Sequence, residues 1–230
     1  MSSFAVHRPM GTRCFGGVDG PGADVEPPRL GVTVSHSLAL SELVPLLLCG
    51  EESAVLAFAH HAQSQNWGTR ARADFARMQV DEARHADWLL RLRLSLPPPE
   101  EDPRLRRRVK HFFLGLASPN LGIHLGHIAA LDSAVCLILG RLRRTGLCQS
   151  DSPVTRVFAS IHRDEARHVA IARSYARELC STGDLLACAA ETRERLTAIL
   201  SARGPALDAL EVCPDRLFKQ LRSPPRRLFT

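Results

Sequence analysis

The pentapeptide Asp-Glu-Ala-Arg-His occurs twice in the chain, at residues 81–85 and again at residues 164–168. In each copy a glutamate precedes a histidine by three positions, so both side chains lie on the same face of a helix. Carboxylates and neutral imidazoles suit iron or manganese better than soft metals. The repeat therefore predicts a metal centre whose ligands include Glu82, His85, Glu165 and His168.

Both copies interrupt an apolar stripe. Apolar residues recur at steps of four and three around the first copy, from Ala71 to Leu96, and around the second, from Val154 to Leu179. Such a stripe faces a protein core. A buried carboxylate is costly unless it is paired, protonated or bound to a metal ion. Two such pairs favour metal binding over surface ion pairs.

A bundle site also needs one carboxylate from each of two further helices. In the first long helix Glu51 lies on the apolar face, whereas Glu52, the alternative, falls about 100° away. Asp132 is the one acid of the third long helix, and it aligns with the apolar face there. The separation of Glu51 from Glu82 nearly equals that of Asp132 from Glu165. Two matching helical hairpins would then bring together Glu51, Glu82, His85, Asp132, Glu165 and His168.

The remaining sequence predicts an all-α fold, a four-helix bundle with extra short helices. Helices are expected at 38–64, 68–96, 103–117, 119–145 and 153–181, with further helices after 184. Asp102, Ser118 and Ser152 each precede a proline and are predicted N-caps, while Gly146 and Gly183 are predicted stops. Residues 1–36, rich in Gly and Pro, are expected to form a flexible arm. Residues 37–182 form the predicted bundle, and residues 183–230 a helical tail packed on it.

Composition argues against several classes of protein. The 230 residues are 45% apolar and 23% charged, as in a globular domain. No apolar run reaches the roughly 18 residues that span a bilayer, and no apolar signal segment is evident at the N-terminus. Neither a membrane span nor secretion is therefore expected. The seven cysteines contain no CxxC pair, which excludes a zinc ribbon and favours reduced thiols in the cytoplasm.

With these ligands, about residues 40–180 resemble the ferritin-like di-iron carboxylate proteins. That superfamily combines a four-helix bundle with one carboxylate on helices 1 and 3 and Glu-x-x-His on helices 2 and 4. The run Glu51-x-x-Ala54-x-x-x-Phe58 is also similar to the first helix of rubrerythrin-like members. Asp132 departs from the usual glutamate, although ribonucleotide reductase small subunits accept an aspartate ligand on helix 1. The resemblance implies two iron ions, or a manganese–iron pair, with O₂ as co-substrate.

The resemblance also implies roles for residues beside the ligands. In related bundles an acid before each motif glutamate reaches the histidine of the opposite helix, which gives the pairs Asp164–His85 and Asp81–His168. The alternative is that these aspartates pair with the arginine three positions later. Arylamine N-oxygenases carry a third histidine one turn before the helix 4 glutamate. His162, displaced by one position from that register, is therefore a candidate extra ligand.

Other polar and aromatic side chains are expected to be structural. His60 and His61 should be exposed at the end of the first helix. Tyr175 should pack in the core rather than serve as a redox relay. An apolar lining is expected to keep water from the centre and to favour an organic guest. Its expected members are Leu47, Phe58, Phe75, Phe158 and Ile161.

The predicted function is that of a non-haem di-iron oxygenase or oxidase that uses O₂ to oxidise an organic substrate in a biosynthetic pathway. No catalytic residue is expected beyond the metal ligands. The alternative is a ferritin- or rubrerythrin-like protein that handles iron or peroxide. The second complete Glu-x-x-His motif argues against ferritin, and the lack of CxxC pairs against a full rubrerythrin. A metal-stabilised interaction module is a third, non-enzymatic alternative.

Basic clusters bear on the partners of this chain, whose net charge is +6. A solvated surface is the simplest interpretation. The functional alternative is an acidic carrier protein that presents a tethered substrate, as in the similar acyl-carrier desaturases. An external electron donor is also expected, and a homodimer is left open. The lack of aromatic–basic interleaving does not favour nucleic acid. The clusters lie at residues 104–110 and 141–144 and at Arg222, Arg226 and Arg227.

Overall fold

The computed structural model describes residues 30–100, 102–148, 152–223 and 228–229, and this part of the chain contains helices and no strand. The expected all-α fold is confirmed. The four long helices are α1 (Val34–Gln63), α2 (Thr69–Leu94), α4 (Leu121–Leu142) and α5 (Pro153–Leu179). The shorter ones are α3 (Pro103–Leu114), α6 (Thr182–Leu200), α7 (Gly204–Ala209) and α8 (Pro214–Arg222). Residues 1–29 of the expected arm, together with Arg226 and Arg227, lie outside the described residues.

Side-chain caps fix where several helices begin. Asp102 accepts hydrogen bonds from the N–H groups of α3, and Ser152 caps α5 in the same way, as expected. Ser118 is not a cap, because Asn120 accepts from the first N–H groups of α4 instead. The prediction that a helix ends at Gly183 is also wrong. Ser181 caps α6, which places Gly183 in the first turn of that helix.

The long helices pair in two hairpins, α1 with α2 and α4 with α5. The hairpins meet where α2 contacts α5, whereas α1 and α4 approach each other at few points. Three other helices cover this open side, because α6 packs on α4, α7 packs on α1, and α3 contacts both α1 and α6. The bundle is therefore tight between the two motif-bearing helices and looser between α1 and α4.

The hydrophobic core is divided into two clusters along the bundle. One cluster is built from residues 39–49 of α1, the end of α2, the second half of α4 and the start of α5. The other is built around Phe58, Phe75 and Leu125 with the second half of α5. On each long helix the predicted ligands lie between residues of one cluster and residues of the other. A polar layer formed by the six ligands therefore separates the two apolar clusters.

Two helices, α1 and α4, are long and apolar enough to cross a membrane by length and composition alone. The expectation that no segment could do so is not confirmed by this criterion. About half of the most apolar window of each helix is buried inside the protein, and each helix carries one of the buried acids. Core helices of soluble proteins and signal sequences near an N-terminus meet the same criterion.

Candidate metal centre

The six predicted ligands converge in the polar layer between the two apolar clusters. Each is buried, with at most 6% of its surface exposed. Two overlapping groups have ligand atoms that all lie within 4.8 Å of one another, and Glu165 belongs to both. The groups are Glu51, Glu82, His85 and Glu165, and Asp132, Glu165 and His168.

Both motif histidines turn Nδ1 toward the carboxylates. Nδ1 of His85 lies 3.3 Å from Glu51 and 3.6 Å from both Glu82 and Glu165. Nδ1 of His168 lies 2.8 Å from Glu82 and 4.0 Å from Glu165. Glu82 and Glu165 thus contact both imidazoles and stand between the two halves of the site. This is the position of carboxylates that could be shared by two metal ions.

The opposite ring nitrogens bind aspartates across the bundle. Nε2 of His85 lies 3.1 Å from Asp164 of α5, and Nε2 of His168 lies 3.4 Å from Asp81 of α2. Each aspartate comes from the hairpin opposite its histidine, which is the pairing inferred from the resemblance. Such a contact fixes the tautomer and orientation of a metal-bound imidazole.

The aspartates also pair with arginines, which was the alternative to their contact with the histidines. Arg84 donates to Asp81 at 2.7 Å and to Asp164 at 3.0 Å. Arg167 lies 2.6 Å from Asp81 and 3.0 Å from Asp164. Each guanidinium therefore joins the aspartate of its own helix to the aspartate of the other helix. The two arginines and two aspartates form a cross-linked layer over the histidines, and each aspartate contacts a histidine as well as both arginines.

Trp88 is a neighbour of the site that the sequence analysis missed. Its ring stacks on His85 with centroids 5.8 Å apart, and the Arg84 guanidinium lies 5.3 Å above it. The tryptophan therefore packs against the ring of one imidazole, which is fully buried. Its position three residues after His85, on the same helix face, was the signal available in the sequence.

Burial and mutual repulsion shape the proton affinities of the cluster. Loss of solvation raises the pKa of Glu51, Asp132 and Glu165, that of Glu165 to about 7, and neighbouring carboxylates raise them further. Burial also opposes ionisation of Glu82, but hydrogen bonds with Glu51 and both histidines hold its pKa below the usual range. Burial disfavours the charged imidazoles, yet hydrogen bonds to carboxylates raise the pKa of His85 and His168. Four acids this close cannot all stay ionised without added positive charge.

The donor set fits a pair of divalent cations. Among the described residues, Oδ2 of Asp132 is buried without a hydrogen-bond partner, and Asp132 belongs to the second group. A buried polar atom left unpaired in this way calls for a ligand. Four carboxylates would balance two doubly charged ions. Oxygen and imidazole donors without sulfur suit iron or manganese.

Several other candidate residues lie outside the cluster. Glu52 and His162 are not in either group of ligand atoms, and Nδ1 of His162 lies 3.4 Å from Arg143 instead. The expected exposure of His61 is wrong: the ring is fully buried, accepts a hydrogen bond from the Trp67 indole and packs on aromatic rings. His60 is exposed as expected.

The hydroxyl of Tyr175, two turns beyond His168, donates to Asp74 at 2.7 Å. Its ring packs against Trp67 and Phe75. Burial raises the pKa of Tyr175 to about 12, with a further rise from the Asp74 carboxylate. The half-buried ring therefore has the packing role that was expected, with its hydroxyl group satisfied.

A small, mainly apolar cavity of about 70 Å³ adjoins the cluster between α1 and α4. Glu51, Glu82, Asp132 and Glu165 form its polar part, and α3, α6 and α7 contribute to its walls. Among the residues expected to form an apolar lining beside the centre, Leu47 lines this cavity. The placement of Phe58, Phe75, Phe158 and Ile161 is wrong, because these side chains pack elsewhere in the core and do not line the cavity. The wall residues from α6 and α7 were missed, since they follow the bundle in sequence and carry no motif.

Comparisons with protein-family models, with curated proteins and with solved structures give no match for this chain. The contacts within the chain are therefore the only basis for interpreting the site. The helices bring buried glutamate and histidine side chains into a cluster compatible with a di-iron carboxylate centre.

Proposed function

We propose that this protein is a non-haem di-iron oxygenase or oxidase of the ferritin-like type that uses O₂ to oxidise an organic molecule. The observation that carries the proposal is the position of the buried ligand cluster at the wall of an apolar cavity. A storage site for iron needs no apolar cavity beside its ligands. An oxidase needs one to hold the organic substrate near the metal ions.

Each side chain of the cluster has a distinct role in the proposal. Glu51 and His85 would hold one ion and Asp132 and His168 the other, while Glu82 and Glu165, which contact both imidazoles, would complete the site. A pair of iron ions, or manganese with iron, supplies electrons to O₂ when bound. The shorter arm of Asp132 leaves more room on its side of the site than a glutamate would.

The surrounding residues prepare the site for this chemistry. Asp81 and Asp164 orient the imidazoles, and the two arginines bonded to them close the α2–α5 side. The aliphatic walls on the α1–α4 side exclude water from the carboxylates. Substrate would therefore approach the cluster from the α1–α4 side.

The proposed enzyme needs an electron donor and a source of substrate. An external donor supplies the electrons, and an acidic carrier protein is a fitting source of substrate because α3 presents a row of exposed basic residues. Among the described residues, Cys49, Cys136, Cys180, Cys188 and Cys213 form no disulfide, which supports the cytoplasm as location.

The test is anaerobic loading with ferrous iron, followed by metal analysis and rapid mixing with O₂. We expect about two iron ions per chain and a transient absorption whose decay is faster with substrate present. Glu82→Ala and His168→Ala should bind markedly less iron, while Glu52→Gln serves as the matched control. Full iron occupancy in both ligand variants would refute the site. Rapid mineralisation over many turnovers without a transient would favour the ferritin-like alternative.

A further inference from the structure

We infer that the cavity beside the ligand cluster binds a linear aliphatic chain with an anionic head group, and that such a molecule is the substrate. The chemistry of oxidation rests on the proposed function, whereas the binding of the chain does not. The inference depends on the lining of the cavity, its shape and the charge beside its open side.

The walls of the cavity are aliphatic. Leucine, isoleucine and valine side chains form most of the surface, and Phe113 is the one aromatic ring among the lining residues. Apart from the four acids of the cluster, the lining offers no side chain that could hydrogen-bond a substrate. A ring bearing an amine or a hydroxyl group would leave those groups without partners along the walls, at a cost in affinity.

The residues that line the cavity run along two helices, and we call the space between them the channel. They extend from Leu43 to Ala54 on α1 and from Leu131 to Leu142 on α4, about 16 Å at the helical rise per residue. The volume of the cavity, about 70 Å³, is less than half of the roughly 150 Å³ of a cavity that holds benzene. A ring would therefore have to displace the walls at one point, whereas a flexible hydrocarbon chain can follow the lining residues with less displacement at any one place.

The channel has an open half and a closed half. Leu47, Gly50, Leu131 and Val135 beside the ligand cluster are half-buried. The far end is closed by fully enclosed side chains, among them Leu142 and Leu207, with 1% and 0% of their surfaces exposed. A chain that enters beside the cluster therefore extends its tail toward the leucines. Its first carbons would lie next to the carboxylates.

Positive charge flanks the open half. Phe113 forms part of the rim, and Lys110 precedes it by one turn on the same face of α3. Lys110 is exposed, as are Arg104 and Arg107 on the same helix. The carboxylate of such a chain would be attracted to this side while the tail fills the channel.

The experiment measures binding by calorimetry to the iron-loaded protein under anaerobic conditions, and in parallel to the protein as isolated. The probes are hexanoate, octanoate and decanoate, with 4-phenylbutyrate as a ring-bearing acid with as many carbon atoms as decanoate. Affinity should rise about fourfold for each added methylene group until the channel is full. Decanoate should bind more tightly than 4-phenylbutyrate.

Two substitutions locate the binding site. Val135→Phe should weaken decanoate binding about tenfold or more by blocking the channel, whereas Val80→Phe on the exposed face of α2 should have no effect. Gly50→Leu, which adds a side chain beside Phe113 and favours helix, should act like Val135→Phe. Lys110→Gln should weaken decanoate binding but leave 1-decanol binding unchanged.

The inference fails if affinity does not depend on chain length, if the ring-bearing acid binds as well as decanoate, or if Val135→Phe binds decanoate normally. Decanoate binding by a protein that takes up no iron would support the channel and refute the proposed function. Iron loading and reaction with O₂ without any chain binding would leave the proposed function standing and overturn this inference.

Discussion

At the scale of single residues, each motif histidine uses both ring nitrogens. Nδ1 faces the carboxylates, and Nε2 faces an aspartate of the opposite hairpin, at 3.1 Å for His85 and 3.4 Å for His168. Each copy of the pentapeptide thus places a glutamate and a histidine in the cluster and an aspartate against the histidine of the other copy.

Glu51 rather than Glu52 should supply the α1 ligand, because only Glu51 has its carboxylate among the clustered ligand atoms. Glu51→Gln should change the absorption spectrum of cobalt(II) bound anaerobically in place of iron, while Glu52→Gln should leave it intact. The reverse result would show that α1 presents a different face to the site.

Asp164→Asn should weaken metal binding by about 10- to 100-fold, because the acceptor that orients His85 loses its charge. Equilibrium competition with a chelator measures this affinity. Asp87→Asn is the control, since Asp87 pairs with Arg91 on the exposed face of the same bundle, 2.9 Å apart. Equal affinities in the two variants would show that the Asp164 contact does not support the ligand.

At the scale of elements, a glycine of α4 sets how closely α5 can approach. A Cβ atom at Gly122 would lie 2.8 Å from Cβ of Leu179 and would collide with the Cys180 sulfur. At Gly140, near the other end of the same helix, the nearest atom would be Nε2 of His162 at 3.5 Å, an ordinary contact. The two glycines therefore differ in what an added methyl group must displace.

Gly122→Ala should lower the free energy of unfolding by about 1–3 kcal/mol, because the backbone of α5 must shift to accept the methyl group. Gly140→Ala should instead raise it by about 0.5–1 kcal/mol, through the higher helix propensity of alanine. Urea unfolding followed by circular dichroism measures both. A stabilised Gly122→Ala protein would contradict the close packing of α4 against the end of α5.

At the scale of the whole molecule, the polar layer divides the core, and its ligands come from all four long helices. Like-charged acids in such a layer oppose folding, whereas bound cations would join the two hairpins. The same cations would stabilise the looser α1–α4 side, where the helices have few direct contacts. Metal binding and folding should therefore be coupled.

Iron(II) in large excess over its dissociation constant should raise the midpoint of thermal unfolding by about 5–10 °C. Glu165→Gln should abolish most of this rise, because Glu165 belongs to both groups of ligand atoms. Glu178→Gln, an exposed glutamate on the same helix, should retain it. Scanning calorimetry with and without chelator provides the measurement, and an equal rise in both variants would refute the coupling.

The sequence alone determined the helices and the six side chains of the cluster. The spacing of Glu82 and His85 assigns both to one helix face, and the apolar residues around them require that face to be buried. Glu51 and Asp132 followed from the same periodicity. Local periodicity is sufficient for this purpose because a helix fixes the direction of each side chain within a few residues.

Only the tertiary structure decided which side chains meet across the bundle. The arginine cross-links, the burial of His61 and the channel walls from α6 and α7 depend on how separate helices pack. Phe58 and Phe158 share the apolar stripe of the ligands, yet they lie in the core and not at the channel. A helical period gives the face of one helix, but a cavity is the space that several helices leave unfilled. Its walls are therefore set by long-range packing rather than by any local pattern.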